Sequence, residues 1–418
     1  MLRVLRHRDF GLLWLGQAVS LIGDGIYLVA IAWLVLDISN EPSALALVGL
    51  AWTFPQVAAL LIGGVLSDRF ERRRLLVIAD LVRCVAIGAI AVLTLAHAIE
   101  LWHVIVLVVF YGVGDALFQP AFSAIVPDVV PRGELLQANA IRELMEPLGL
   151  RFAGPALGGL VIAVFGVGTA FVLDAATFAA SAVAVSLMTR QPPVREEHGS
   201  IRSDLAEAFA YVRAHAWLWG TLAGAALFLL LTYGPMEVLL PYIIKNELGG
   251  SAATFGTVLA AGGLGSIAAA LIISRTGLPR RFVTFMWTAW SVGVGFEIGL
   301  AFAGAAWQMC VLAFFAFGLS TTGLLVWAQL MYTLVPQEML GRVSSLDWFV
   351  SIGLTPLSFA LTGPVAEWLG ARTTLAAAGV LGFATVGFLF IPGVRDPQRS
   401  PLPATRGRPR AAAADARP

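Results

Sequence analysis

A chain of 418 residues that is 58% hydrophobic and only 13% charged stands far from soluble proteins, in which about 25% of residues are charged. Together with a mean hydropathy of +0.83, this excludes an ordinary soluble enzyme, whose core cannot absorb so much apolar surface. The formal net charge of +1 says nothing about partners, and no nucleic acid is expected among them.

In chain order, twelve apolar stretches are predicted near residues 10–36, 43–67, 75–97, 102–126, 139–165, 168–189, 217–244, 252–274, 281–303, 306–334, 341–369 and 371–393. Each can cross about 30 Å of hydrocarbon as a helix. The first follows Arg3, Arg6 and Arg8 in the manner of a signal peptide. It is too long for one and lacks a small-residue cleavage pattern, so it is expected to stay as span one. Between spans six and seven, residues 190–216 carry Pro192-Pro193 and clustered charge, and Ile201, Leu205, Phe209 and Val212 recur at helical spacing. An amphipathic helix on the cytoplasmic interface is expected there. The Pro-, Ala- and Arg-rich tail is expected to be disordered. The expected organisation is an N-terminal six-helix bundle (1–189), a cytoplasmic linker (190–216), a C-terminal six-helix bundle (217–394) and a disordered tail (395–418).

The halves are related. Pro147-Leu148 and Gly154-Pro155 recur as Pro356-Leu357 and Gly363-Pro364, an offset of 356 − 147 = 209 residues, half the chain length. Two homologous membrane bundles related by a pseudo-two-fold axis follow. Orientation is set by arginine, which concentrates before span one, after the even-numbered spans and in the tail, whereas the opposite loops hold only Lys245 and Arg372. By the positive-inside bias both termini are expected in the cytoplasm. Cys84 and Cys310 fall inside spans in different halves, so neither a disulfide framework nor a cysteine metal site is expected, and no cofactor is implied.

The loop after span two reads Gly64-Val65-Leu66-Ser67-Asp68-Arg69-Phe70-Glu71-Arg72-Arg73-Arg74. It resembles the Gly-x-x-x-Asp-Arg-x-Gly-Arg-Arg loop of the major facilitator superfamily, with Glu71 where that family usually has Gly. The resemblance implies a latch in which Asp68 sits near the start of span eleven, while Arg69, Arg72 and Arg73 bind neighbouring helix ends. Gly154-Pro155-Ala156-Leu157-Gly158-Gly159 in span five resembles an element of the antiporter members, in which small residues and a proline let one helix rock against its neighbour. Ser20-Leu21-Ile22-Gly23-Asp24, Phe118-Gln119-Pro120-Ala121-Phe122 and Ala138-Asn139-Ala140 are similar to the macrolide-efflux and enterobactin-exporter branch. The resemblance implies twelve helices, of which spans one, four, seven and ten line a central cavity, and a monomer in a bacterial inner membrane. Span four departs from many proton-coupled drug antiporters, carrying Asp115 and no arginine.

Ionised side chains at mid-bilayer cost roughly 2.5–3.5 kcal/mol each even on lenient scales, so they must face protein or water. Gln17, Ser20, Asp24 and Tyr27 fall on one face of span one, and Tyr111, Asp115 and Gln119 on one face of span four. Tyr233 and Glu237 in span seven, and Thr322, Trp327 and Gln329 in span ten, complete the expected cavity lining. Span five adds Arg142, Glu143, Glu146 and Arg151, with Arg142 and Glu146 one turn apart. Aligning Pro147 with Pro356 places Thr355 opposite Glu146 and Ala360 opposite Arg151, so the fold does not require those charges. Asp24, Asp115 and Glu146 are expected as proton carriers, with Arg151 discharging them by favouring the anion. Asp80 with Arg83 and Asp347 with Arg342 read as structural pairs near the cytoplasmic ends, Glu297 is a weaker candidate, and Asp174 shows no partner.

The only lysine, Lys245, precedes Asn246, so no Walker A phosphate loop exists. The five histidines form no ligand pair, and no metal centre or hydrolase is expected. The expected function is proton-coupled efflux of small amphipathic compounds such as antibiotics or siderophores. A metabolite importer of the same fold and a non-transporting receptor are the alternatives.

Overall fold

The structure, a computed structural model, describes residues 4–69, 71–135, 137–138, 141, 145–189, 201–277 and 281–395. The expected tail beyond 395 and Arg142, Glu143 and Asn139 lie outside these residues, as do the side chains of Gly64, Asp68 and Arg69. The described residues form helices and no strands.

The spanning helices follow the apolar runs of the sequence. The first six spans comprise α1 (Arg8–Ile38), α2 (Pro42–Arg69), α3 (Arg72–Leu95), α4 (Leu101–Val129), α5 (Gly154–Phe165) and α6 (Val167–Ser186). A polar connecting helix, α7 (Ile201–Ala214), follows. The second set comprises α8 (Ala216–Asn246), α9 (Ala252–Thr276), α10 (Phe282–Leu300), α11 (Ala306–Leu334), α12 (Gln337–Gly353), α13 (Thr355–Leu369) and α14 (Ala371–Ala384). Ten helical stretches among the described residues are long and apolar enough to cross a membrane, and α2 and α10 complete the twelve spans, α12 and α13 forming the eleventh.

Three expected spans are not continuous α-helices. The fifth begins as a π-helical segment, Glu146–Ala153, with Pro147 in its first turn and Gly154 N–H donating to the Gly149 carbonyl. The eleventh breaks at Leu354, just before Pro356. The cause is shared: proline has no N–H to give and its ring crowds the preceding turn. Both copies of the repeat therefore bend at the same aligned residue. The twelfth tightens into a 3-10 turn over Thr385–Phe390. Each half also joins its last two spans through one glycine in the left-handed region, Gly166 at φ 83° and Gly370 at φ 84°, a conformation that a Cβ disfavours.

Helices α1–α6 pack on one another, as do α8–α14, and the two sets meet mainly where α2 crosses α13 and α5 crosses α9. At the face holding the α1–α2 and α8–α9 turns, one apolar core runs through both sets, joining Val35, Leu36 and Ala44 to Leu240, Ile243 and Phe359. At the face holding the two ends of the described chain the core divides in two, one part around Phe118, Ile125 and Val185 and the other around Trp217, Trp327 and Val343. The molecule is thus joined at one end and parted at the other. Polar contacts reinforce the joined end: Lys245 donates to Asp37 at 2.5 Å and Asn40 to Asn246 at 2.9 Å, while Arg372 holds Glu247 and the carbonyls of Ala301 and Ala303.

The outer girdle is apolar, with Val85 at 69% exposure. Trp102, Trp307 and Trp368 project at the level of the joined end, where an aromatic belt meets the headgroups. The connecting helix does more than lie on an interface. Val212 and Ala208 are buried, Val212 joins the second bundle's core, and Glu207 accepts from Arg342 at 2.6 Å. Ile201 and Leu205 have side chains outside the described residues.

The antiporter-like element of α5 works through close approach. A Cβ on Gly154 would lie 2.6 Å from Gly25 Cα of α1, and one on Gly159 would lie 2.9 Å from Ala253 Cα of α9. Overpacking of this kind costs about 1–3 kcal/mol. Gly154→Ala should therefore lower the thermal midpoint in detergent, while Gly133→Ala, whose Cβ meets nothing within 4 Å, should leave it unchanged. Equal midpoints would mean that α1 and α5 have room to separate.

Candidate functional site: a charged cavity between the bundles

The parted end opens into a central cavity of about 2420 Å³. Its walls carry Gln17, Asp24 and Tyr27 of α1, Tyr111, Asp115 and Gln119 of α4, Glu146 and Arg151 of the π segment, Tyr233 and Glu237 of α8, and Trp327 of α11. Phe209 of α7 and Gln337 and Arg342 of α12 stand at its mouth. The sequence-based lining is thus largely brought together, with three exceptions. Ser20 is fully buried away from the cavity. Thr322 is turned back onto the Gly318 carbonyl, and Gln329 donates to Thr333 away from the lining. The reason is helical phase: a stripe at three-four spacing is wide enough that one edge faces water and the other a neighbouring helix.

On the first bundle's wall the charges converge on a residue that the sequence reading assigned to a peripheral pair. Arg83 of α3 is 3% exposed. One guanidinium nitrogen donates to Asp115 at 3.2 Å and the other to Asp80, and the plane lies between the rings of Phe118 and Phe178, 4.3 and 4.5 Å from their centroids. The arginine missing from α4 is in effect supplied by α3. Trp52 of α2 donates to the second oxygen of Asp115 at 2.9 Å, and the Tyr111 hydroxyl donates to Asp24 at 3.0 Å. Asp24 and Asp115 thus each hold a donor of their own, and both lie in electrostatic reach of Arg83.

Glu146 and Arg151 do not belong to this group. They pair with each other at 3.2 Å and lie on the cavity wall with Tyr233 and Glu237 of α8. The expected single ionic machine is two groups: a buried one around Arg83, and a wetter one bridging the bundles around Arg151. The alternative partner for Glu146, Arg142, lies outside the described residues. Asp347 and Arg342 do not pair as expected, because Asp347 accepts from Trp327 at 3.0 Å while Arg342 reaches Glu207.

Depth was the signal that could have found Arg83. It lies eleven residues into α3, about 16 Å along a helix at 1.5 Å per residue, too deep to be a terminal anchor. Asp80 and Asp174 are likewise wholly buried.

In the loop after α2, Arg72 donates to Asp128 at 2.7 Å and to the Ala124 carbonyl at the end of α4, and Arg73 to the Ser186 and Met188 carbonyls at the end of α6. These cations stand where the helix dipole is negative. Glu71, the departure from glycine, has an ordinary φ of −58° and pairs with Arg74 at 2.6 Å, so the turn needs no glycine.

Removing one partner of a buried charge network costs about 3–5 kcal/mol. Arg83→Met strands Asp80 and Asp115 and should lower stability by about that amount, with much of it regained when both aspartates become asparagine in the same chain. Thermal unfolding in detergent compares the variants. A triple variant no more stable than the single one would show that ring contacts, and not charge, hold the site.

Comparison with known proteins agrees with this geometry. Residues 2–400 match the profile of a family described as transmembrane secretion effector. The chain is 30% identical over 400 residues to the multidrug efflux pump Tap of Mycolicibacterium fortuitum, covering 90% of this chain and 93% of that protein. It is 29% identical over 386 residues to the enterobactin exporter EntS of Citrobacter koseri, covering 91% and 90%. The crystal structure of the nucleoside transporter NupG superposes with a TM-score of 0.67 at 11% identity, covering 91% of this chain and 99% of that one, a likeness of fold.

Proposed function

The chain belongs to the transmembrane secretion effector family of the major facilitator superfamily, and on that premise we propose that it is a proton-coupled exporter of small amphipathic compounds working by alternating access. The observation that carries this reading is the cavity. It is wide, walled by Trp, Tyr and Phe, open at one end, and holds Asp24 and Asp115 on one side and Glu237 on the other. Apolar walls with a few fixed polar groups suit loosely defined cargo, and acids on both walls suit cationic cargo. The printed functions of Tap and EntS support the outward direction.

In this reading the parted end faces the cytoplasm of a bacterial cell, the arginine-rich loops lie on that side, and the protein works as a monomer. The bundles correspond to residues 1–189 and 217–394, joined by the linker 190–216. Arg72 and Arg73 tie α4 and α6 together, and Gly64, Asp68 and Arg69 complete the latch. Cargo enters from the cytoplasm and a proton leaves Asp24 for the bulk. After the joined end opens, cargo leaves outward and a proton from outside restores the carboxyl. Asp115, held by Arg83 and Trp52, keeps the local field negative and so favours return of that proton.

Asp24→Asn should abolish efflux driven by a pH gradient in proteoliposomes while sparing substrate binding and exchange. Pumping at the wild-type rate would reduce Asp24 to a packing residue, and accumulation rather than depletion of the compound would reverse the direction. Glu237→Gln should weaken binding of a cationic dye while leaving a neutral analogue of the same shape nearly unaffected, as read by fluorescence titration. Equal weakening of both would remove the charge from recognition.

A further inference from the structure

Four carboxylates of the first bundle, Asp24, Asp80, Asp115 and Asp174, surround one base. Arg83 touches Asp80 and Asp115, and among the described residues it is the one cation in electrostatic reach of Asp24 and Asp174. If all four were ionised, the group would carry −4 + 1 = −3 with two of its members, Asp80 and Asp174, away from water, a burden that proton binding relieves. Neutral donors do not solve this, since Asp24 has Tyr111 and Asp174 has Thr177 of its own helix at 3.4 Å.

Asp174, like Asp80, lies away from water. It has no exposed surface and does not line the cavity, whereas Asp24 does. Among the described residues its Oδ2 has no hydrogen-bond partner, and the same is true of Asp80 Oδ2, Ser20 Oγ and Ser181 Oγ. These atoms lie along the seam of α1, α3 and α6. Gly16 of α1 sits against Ser181, where a Cβ would come within 3.1 Å of its Oγ. Two helical turns further, Gly23 sits against Asp174, where a Cβ would lie 2.5 Å from Oδ1. The groups facing Asp174 are Asp24 and Tyr27 from α1, Arg83 and Cys84 from α3, and Tyr111 and Asp115 from α4.

We propose that Asp174 is a second proton-binding position, lying behind α1 and exchanging its proton with Asp24 around Gly23. The tight seam selects the ligand: a dehydrated metal ion needs room for several oxygens, while a proton needs none. In the transfer the O–H bond of the Asp24 carboxyl breaks and an O–H bond forms on the Asp174 carboxylate. The Asp24 anion left behind keeps the Tyr111 hydroxyl as donor, and one negative charge has moved from Asp174 to Asp24 at the cavity wall. Cargo with positive charge then meets an anion at Asp24 before that proton is released to bulk water, so the position acts as a proton store for the cycle. This rests on the proton-coupled reading above.

The test uses infrared spectroscopy of the full-length protein in lipid, grown with 13C-labelled aspartate, alongside pH-driven efflux. At neutral pH and without cargo, wild type should show the carbonyl stretch of protonated aspartate. A cationic dye should shift that band in wild type to a second component, which Asp174→Asn should lack, and Asp24→Asn should lose the cargo-free component. Asp174→Asn should also lose pH-driven efflux while retaining dye binding, and Asp174→Glu should regain part of it. Wild-type protein with no protonated-aspartate band overturns the proposal without need of any variant. So does Asp174→Asn with an unchanged dye-induced component and an unchanged pH profile of efflux. Wild type that binds dye but never pumps against a pH gradient defeats the coupling reading instead, whatever the spectra show.

Discussion

Hydrocarbon offers a charge no solvent, and the arrangement of the first bundle follows from that fact. Arg83 cannot be left alone at its depth in α3, so Asp80 on its own helix and Asp115 on α4 close around it, and Phe118 and Phe178 cover its faces. This one cation thereby fixes the mutual placement of α3, α4 and α6. Asp24 accepts from Tyr111 of α4, which brings α1 into register. Across the repeat offset the second bundle keeps no counterpart of the Glu146–Arg151 pair, Thr355 and Ala360 standing in its place, and Glu297 has Oε2 unpartnered among the described residues. The buried ionisable groups are thus more numerous in the first half, while the second brings Glu237 to the cavity wall.

At the joined end an unbroken apolar core does most of the holding. The ion pair of Lys245 and Asp37 adds little, because both side chains keep access to water, at 21% and 51%, and such pairs contribute about 0.2–1 kcal/mol. Strength resides in a surface that must be unmade as a whole for the other end to close. In the proposed alternating-access cycle, switching is a matter of two discrete packings, and a change of charge at the cavity wall biases which one prevails.

Much of this was legible in the residues. Apolar run length gave the spans, and the repeated Pro-Leu and Gly-Pro pairs gave the two halves. The spacing of Tyr111, Asp115 and Gln119 put them on one wall. What could not be read was rotational phase. Gln17 and Ser20 lie on one stripe of α1, yet one lines the cavity and the other faces α6, since a stripe has two edges and only neighbours decide which is wet. Arg83 went astray for a related reason. Its partner Asp80 at i+3 satisfies a local rule, and nothing local reveals Asp115 thirty-two residues away. The π segment and the break at Leu354 follow from proline chemistry, and each proline was visible, but a helix can also absorb a proline smoothly, as α4 and α8 do.

The glycine seams have a mechanical meaning. Where Gly154 lies on Gly25, and Gly159 and Gly256 lie across the α5–α9 crossing, backbone slides on backbone with no side-chain teeth to lift over one another. Interlocked knobs would move only by ratcheting through whole-turn jumps. In the proposed cycle a smooth crossing of this kind serves as a bearing, holding the helices close while leaving their angle free, so that friction against rocking is least where the two bundles would pivot.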